Sequence, residues 1–486
     1  MPPRRILTII YSFVLTLALS AQSLPFMQSG GRVREYRAVW VTTLSGLDWP
    51  SRPARTEREA ERQKAELVDI LDRLRAAGIN TILFQTRLRG TVAYPSAIEP
   101  WDGVFSGRTG VAPPYDPLQF AVEACHERGM ELHAWVVAFP AGSAAQVKQQ
   151  GKYALPKRRP DLCRRAGDAW YIDPANPETA DYIAKVCTEI VDNYDVDGIH
   201  LDYIRYPEPT TPWNDAAAFR KSGSNLSLAC WRRANVTNVV SRIHDAVKAR
   251  RPWVRLSCSP VGKRADLPRQ SSYGWNAQNA VYQDAAHWLQ EGLMDVLFPM
   301  MYFDGKHFYP FLADWKEQSG GRPVAPGLGI YFLSPREKDW PLSVVTRQLF
   351  YARALSTGGA AFFRSRFLTD NVKGLYSFLR DQFYTQQVLT PPISAPDSVR
   401  PPRPILTSTR SGNKLILSWT ASSPSQTSTP ITYNIYRLPS ATSPDTVLIA
   451  SRLATTTYTL SPALPALLHA RYAVTAMDAY GRESEM

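Results

Sequence analysis

The sequence predicts a (β/α)8 TIM barrel followed by a small all-β sandwich of the immunoglobulin-like kind. Between residues 34 and 386, eight strand-like segments alternate with helical patterns, the order that builds a closed parallel sheet. From Leu389 the composition shifts to a proline-rich stretch and then to short alternating strands rich in Thr, Ser, Val and Tyr. In the run VDGIHLDYIRYP (196–207), a two-residue period puts Gly198, His200 and Asp202 on one side of a strand and Ile199, Leu201 and Tyr203 on the other. The second side suits a cover of helices. The first ends in a carboxylate where a barrel strand reaches its C-terminal end, the end at which such folds carry their active sites.

Taken in order, 36–43 reads as the first strand. Thr56 with Glu59 is a capping-box pattern, and the helix it opens closes at Gly78. Residues 80–87 form the second strand, 116–128 a helix and 130–139 the third strand. In 178–193, Ile183, Val186, Ile190 and Val191 make one apolar helix face before the central strand. A long helix over 226–250 leads to a fifth strand at 253–260, and a helix at 279–290 to a sixth at 294–302. A short helical piece near Phe311 precedes the seventh strand, 324–332. A helix at 336–356, an eighth strand at 359–364 and a helix at 371–383 complete the set. Pro391, Pro392, Pro396, Pro401, Pro402 and Pro404 mark an extended linker over 387–404. The tail, 405–486, carries its clearest strands at 414–419, 432–438, 457–460 and 470–477. LILSWTAS, YNIYR and RYAVTAMDAYGRES resemble a fibronectin type III domain, with Trp419 and Tyr472 as core aromatics. The tail is expected to fold independently, so that truncation near Pro391 leaves the barrel intact.

Arg4 and Arg5, the apolar run 6–19 and the small residues Ala18, Ser20 and Ala21 have the layout of a secretory signal peptide over 1–21. No cysteine follows to take a lipid, and no later stretch is apolar enough to span a membrane. The expectation is an exported protein, periplasmic or extracellular. The five cysteines are scattered and odd in number, which excludes a disulfide framework. A formal net charge of +13, spread along the chain, favours acidic polymers or surfaces. No nucleic-acid module accompanies it, and nothing speaks to oligomeric state.

The chemistry follows by elimination. The chain has no G-x-S-x-G elbow, no H-E-x-x-H, no paired C-x-x-C and no phosphate-cradling glycine loop. Asp195-x-Asp197-Gly lacks the glycine of a calcium loop at its sixth position, where His200 stands. No metal and no cofactor are expected. Carboxylates at strand ends survive, and glycoside hydrolysis needs two of them: a proton donor, and a nucleophile or base for water. Asp202 is the first candidate. Asp304, at the end of FPMMYFDG, is the second, two strands along the barrel; as a turn-initiating residue before Gly305 it also has an ordinary structural reading. Asp48, Asp102, Glu208 and Asp266 are rivals in the loops, and Asp197 is read as structural. Gln85, Arg87, His133, Trp135, His200, Tyr203, Arg205 and Tyr302 are the candidate substrate contacts. Trp49, Tyr94, Trp101, Trp170, Tyr206, Tyr273 and Trp275 add rings that stack on sugars or pack the loops.

LFQTRLRGTVAYPSAIEPW, HERGMELHAWVVAFP, WYIDPANPET, VDGIHLDYIRYP, VLFPMMYF and GGAAFFR occur in the order seen in the glycosyl-hydrolase-like 10 family of exported bacterial proteins, which 34–383 resembles. The resemblance implies a glycosidase barrel, with the family's strand-four aspartate at Asp202. It also implies a link to cleavage of peptidoglycan glycan strands, especially those stripped of stem peptides. The chain departs from the family at Gly90-Thr91-Val92, where a G-D-A run is common, and at 136–139, where Asn-Pro-Tyr-Arg is common. The expected function is an exported glycoside hydrolase for a cell-wall or other amino-sugar polysaccharide. A catalytically silent glycan-binding protein and a glycosidase for dietary or host polysaccharide stand as alternatives.

Overall fold

The structure, a computed structural model, describes residues 28–29, 32–270, 274–421, 429–440, 445–461 and 465–486. The segment read as a signal peptide and Tyr273 lie outside the described residues. Eight parallel strands form the barrel: β1 Tyr36–Val41, β2 Thr81–Leu88, β3 Glu131–Val137, β4 Gly198–Asp202, β5 Arg255–Cys258, β6 Val296–Leu297, β7 Gly327–Leu328 and β8 Gly359–Phe362. They pair in chain order, and β8 pairs with β1. Parallel bridges Leu297↔Val324 and Met300↔Gly327 join β6 to β7, so the sheet closes.

The period-two pattern decides which side chains enter the barrel. Tyr36, Ala38 and Trp40 of β1, Leu83 of β2, Trp135 and Val137 of β3 and Val296 of β6 share one inner apolar cluster with Phe298 and Ala361. Ile199 and Leu201 point outward into the layer beneath the helices. Two close approaches need glycine. A Cβ on Gly198 would sit 2.8 Å from the His133 ring, and one on Gly327 would sit 2.9 Å from the Trp40 ring. Both glycines let a large side chain occupy the barrel interior.

Helices α1 Glu57–Ala76, α2 Pro117–Glu127, α3 Pro177–Asn193, α4 Leu228–Arg250, α5 Ala285–Gln290, α6 Tyr309–Glu317 and α7 Leu342–Ala354 surround the sheet. The Thr56–Glu59 capping box forms at the start of α1 and contributes about 1 kcal/mol. On α3, Ile183, Val186, Ile190 and Val191 are all buried; each such side chain contributes about 1.5–3 kcal/mol relative to exposure. Of the helix expected at 371–383, Leu375–Phe383 is helical, an α-helical turn (Leu375–Phe378) that widens into a π turn (Leu379–Phe383); Asn371 and Lys373, both at positive φ, delay its start. A small antiparallel sheet of Pro140–Ser143, Cys163–Ala166 and Ala169–Ile172 rises from the loop between β3 and β4. No helix among the described residues is long and apolar enough to cross a membrane.

The C-terminal domain is all β: β9 Leu406–Ser411, β10 Lys414–Trp419, β11 Ile431–Arg437, β12 Val447–Leu453, β13 Thr457–Leu460 and β14 Tyr472–Asp478. Two antiparallel three-stranded sheets, β9-β10-β13 and β12-β11-β14, enclose a core that includes Leu417, Trp419, Tyr433, Ile435 and Val474. This domain is docked on the barrel rather than held away from it. Leu389 bridges Arg34 in parallel, Gln387 bridges Leu448, and Ser451 Oγ donates to the Gly129 carbonyl over 3.2 Å. Arg34 pairs with Glu483, and Arg452 pairs with both Glu131 (3.1 Å) and Asp197. Arg255 lies 3.3 Å from the same Glu131 carboxylate, which Thr390 Oγ1 also reaches at 2.6 Å. Burial opposes ionisation of Glu131, but Arg255, the His133 hydrogen bond and Arg452 outweigh it and bring the carboxyl down to about 2. Asp197, read from sequence as structural, is part of this clamp at the N-terminal face of the barrel.

Candidate active site

At the opposite face, a cavity of about 490 Å³ opens over the C-terminal ends of the strands. Its walls come from Trp40 of β1 and Thr42 just after it, Gln85 of β2, Trp135 of β3, Asp202 of β4 and Ser259 after β5. Met300 and Tyr302 after β6 and Phe363 after β8 complete the floor, while Trp170 and Tyr171 of the loop sheet form a side wall. The volume lies in the usual range of ligand pockets, roughly 300–1,000 Å³.

Asp202 is the centre of the arrangement. Its carboxylate is 5% exposed and accepts three hydrogen bonds: Ser259 Oγ (2.8 Å) and the Tyr203 backbone N–H (2.8 Å) at Oδ1, and Trp135 Nε1 (3.1 Å) at Oδ2. Burial raises its pKa, and the bond from Ser259, the charge of Arg205 and the bonds from Tyr203 and Trp135 only partly offset this. A carboxyl group so placed retains its proton above the ordinary range and stays fixed in direction. It can therefore donate that proton to a group bound in the cavity.

Tyr203 departs from the strand alternation. Its φ of 50° turns the ring out of the helix-facing series of Ile199 and Leu201 and into the cavity wall. Non-glycine residues held at positive φ are strained and cluster at functional sites. Glu208, a rival in the sequence reading, is the second carboxylate lining the cavity. Arg205 Nη2 donates to it over 3.0 Å, and Arg205, opposing the effect of burial, holds the Glu208 carboxyl below its usual value.

Of the sequence-predicted contacts, the structure brings Gln85, Trp135, Tyr203 and Tyr302 to the cavity. Gln85 also braces the loop after β1, accepting from the N–H groups of Thr43 (2.9 Å) and Leu44 (2.8 Å). His200 lies one layer below, fully buried. Trp40 Nε1 donates to its Nε2 (3.1 Å) and Ser257 Oγ is 3.0 Å from its Nδ1. Burial and the neighbouring His133 push its pKa well down, so it is a neutral prop for Trp40. His133 is deeper still, its Nε2 3.2 Å from Glu131. Arg205 stands behind the wall, with its guanidinium 4.5 Å from the centroid of the Tyr203 ring.

Arg87 and Asp304, like His133, His200 and Arg205, stand outside the cavity walls. Arg87 does not line the cavity: the pairing of β2 with β3 shifts between Gln85 and Arg87, and this bulge reverses the side-chain direction. Arg87 is fully buried instead, paired with Glu99 at 2.6 Å and donating to the carbonyls of Val137 and Ala138. Asp304 is exposed at the start of the short turn Gly305–His307 and is not among the cavity walls. Among the other rivals, Asp48 is held by Thr42 and Arg364, Asp102 caps a short helix, and Asp266 accepts from Asn276.

Of the loop aromatics, Trp170 lines the cavity, whereas Trp49, Tyr94 and Tyr206 are buried in packing. Sequence reasoning missed Trp40, Ser259, Tyr171 and Phe363. Trp40 lies on the inward period-two series of its strand and Ser259 continues that of β5, so both were recoverable from the pattern applied to β4.

Comparison with known proteins gives a consistent answer. The family described as Glycosyl hydrolase-like 10 matches residues 35–319. The glycosyl hydrolase YngK of Bacillus subtilis is 31% identical over 404 residues, 79% of this chain and 79% of that protein. The glycosyl hydrolase DigH of Escherichia coli K12 is 35% identical over 305 residues, 57% of this chain and 69% of that protein. Among solved structures, the catalytic domain of β-amylase from Paenibacillus polymyxa superposes with a TM-score of 0.50 at 11% identity, covering 73% of this chain and 99% of that one. That likeness concerns the barrel fold alone. The family match over most of the barrel and the YngK identity over 79% of the chain show that the chain belongs to the glycosyl hydrolase-like 10 family and is a glycoside hydrolase.

Proposed function

We propose that this glycosidase is exported and cleaves the glycan strands of peptidoglycan, with Asp202 as its proton donor. The observation that carries the reading is a buried strand-end carboxyl of raised pKa on the floor of the barrel-mouth cavity. In this reading Asp202 gives its proton to the departing glycosidic oxygen, and Glu208, kept ionised by Arg205, acts on the anomeric carbon or on the water that attacks it. One water is consumed: its hydroxyl ends on the anomeric carbon and its proton replaces the one Asp202 gave up. Trp170, Tyr171, Tyr302 and Phe363 offer apolar ring surface to sugar C–H faces. Export is supported by the arginine pair and apolar run of the first 21 residues, and an acidic polymer by the net charge of +13.

The test is Asp202→Asn assayed on purified, peptide-free glycan strands, beside soluble plant and host glycans. Turnover on the wall glycan should fall on the order of 100-fold or more while the folded protein still binds it. Wild-type turnover by Asp202→Asn removes Asp202 from the chemistry. Cleavage of plant or host glycans alone replaces the substrate, and binding without cleavage by the parent protein favours a glycan-binding role.

A further inference from the structure

A second cavity, of about 670 Å³, adjoins the first. The two share walls at Leu44, Leu88, Arg89 and Gln146, so a polymer seated over Asp202 continues into the second. The second differs in charge. Among the described residues, Arg52, Arg89 and Arg108 line it, against a single carboxylate, Asp102. Asp102 is already engaged: Thr91 Oγ1 donates to it over 2.6 Å and the Val104 N–H over 2.9 Å.

Arg89 stands at the junction and belongs to both cavities. Its neighbour on the strand, Arg87, is locked by Glu99 and two carbonyls. Among the described residues, by contrast, the guanidinium of Arg89 has no hydrogen bond and no carboxylate within ion-pair distance, and the same holds for Arg52 and Arg108. Its backbone is held at φ 55°. Burial lowers its pKa, opposed by Tyr203, Asp102 and Tyr171, so it is a partly desolvated cation without a fixed counter-ion.

We propose that the second cavity is a subsite for a sugar bearing a carboxylate, with Arg89 as the residue that reads it. This rests on the peptidoglycan reading above and deepens it. In a peptide-free strand every second sugar carries a lactyl ether ending in a free carboxylate. A planar guanidinium receives such a group through two parallel N–H···O bonds, which a capped carboxyl cannot match. Arg52 and Arg108 add attraction from the exposed rim. Arg89 is thus a specificity-determining residue, and the proton transfer stays with Asp202.

The experiment compares the full chain with Arg89→Gln on two substrates: peptide-free glycan strands, and the same strands with the lactyl carboxyl converted to its methylamide. The wild type should favour the free acid by about tenfold or more in kcat/KM, expressed in KM, as expected for a charge-assisted hydrogen bond. Arg89→Gln should bring that ratio to within about twofold of one, Arg89→Lys should restore part of it, and added salt should lower it in the wild type. The double variant Arg52→Gln/Arg108→Gln, altered only at exposed positions, should lower the ratio about threefold and serves as the readout if Arg89→Gln does not fold. A wild type that cleaves both strands alike, or variants that keep the wild-type ratio, overturns the subsite and leaves the peptidoglycan reading standing. A wild type that cleaves neither strand, yet hydrolyses another glycan, overturns both.

Discussion

The clamp beneath the barrel can be measured through one pair. Asp197 accepts from the Leu132 N–H (2.9 Å) and from His126 (2.9 Å), and it pairs with Arg452 of the C-terminal domain, with side-chain exposures of 7% and 18%. Removing one member of a buried pair typically costs about 3–5 kcal/mol. Here the lower end applies, because Arg452 keeps Glu131 at 3.1 Å and Asp197 keeps His126. Asp197→Asn should therefore destabilise the full chain by about 3 kcal/mol. A double-mutant cycle with Arg452→Met should give a coupling of about 2 kcal/mol, below the ceiling of roughly 4 kcal/mol for unit charges 4 Å apart at an effective dielectric of about 20, because Glu131 and His126 share the two partners. Arg242–Asp181, whose side chains are 56% and 55% exposed, is the control, and its coupling should lie near 0.2–1 kcal/mol. Urea denaturation followed by tryptophan fluorescence supplies all the values. The pH dependence has a definite sign. Burial opposes ionisation of Asp197, but Arg452 and His126 overcome it and hold its carboxyl well below the usual value. Its contribution is then present above the unfolded-state value of about 3.9 and is lost as pH falls through the lower folded value. A coupling below about 0.5 kcal/mol, no larger than that of the exposed pair, would refute the view that the domain is locked to the barrel by buried charge.

Three other outcomes follow from the same geometry. With Asp202 as the acid, kcat should decline about tenfold per pH unit above its raised pKa; Trp135→Phe removes the 3.1 Å indole donor from the carboxylate and should move that limb to higher pH, as a pH–rate profile will show. Arg87→Met leaves Glu99 buried and unpaired, so thermal denaturation should reveal a loss of about 3–5 kcal/mol, with KM on the folded fraction unchanged. Gly327→Ala places a Cβ 2.9 Å from the Trp40 ring and 3.0 Å from the Pro299 carbonyl oxygen; overpacking of this kind costs about 1–3 kcal/mol, and glycan affinity by calorimetry should weaken as Trp40 is displaced.

Much of the barrel was legible because its information is local. Period-two alternation in 198–202 identified β4, its inward face and Asp202, and apolar spacing in 183–191 identified α3. The failures fall where direction depends on something non-local. Arg87 was misplaced because a bulge is set by how two strands pair, and the residues around Thr86 carry no mark of it. Asp304 and Glu208 both sit in loops after a strand, and no local pattern tells which carboxylate turns toward the cavity. The Pro140–Ser143, Cys163–Ala166 and Ala169–Ile172 strands are short and mostly without apolar alternation, so the sheet that walls the site gave no signal. Val447–Leu453 was missed as a strand, and its Arg452 reads on its own as a solvated charge; only contacts with Glu131 and Asp197 give it meaning.

Those contacts also bear on how the chain reaches its native state. Glu131 and Arg452 are 321 positions apart, Asp197 and Arg452 255, and Arg34 and Glu483 449. Pairings of such separation come late, since loop closure must be met before the contact rewards it. On a ribosome adding about 5–20 residues per second, Glu131 waits on the order of tens of seconds before Arg452 exists. A half-made chain therefore has a barrel whose underside holds Glu131 with Arg255 and Asp197 with His126, but neither yet with Arg452. Completion of the C-terminal domain is the step that separates finished molecules from fragments, and fragments ending before Arg452 should be the ones that proteases remove.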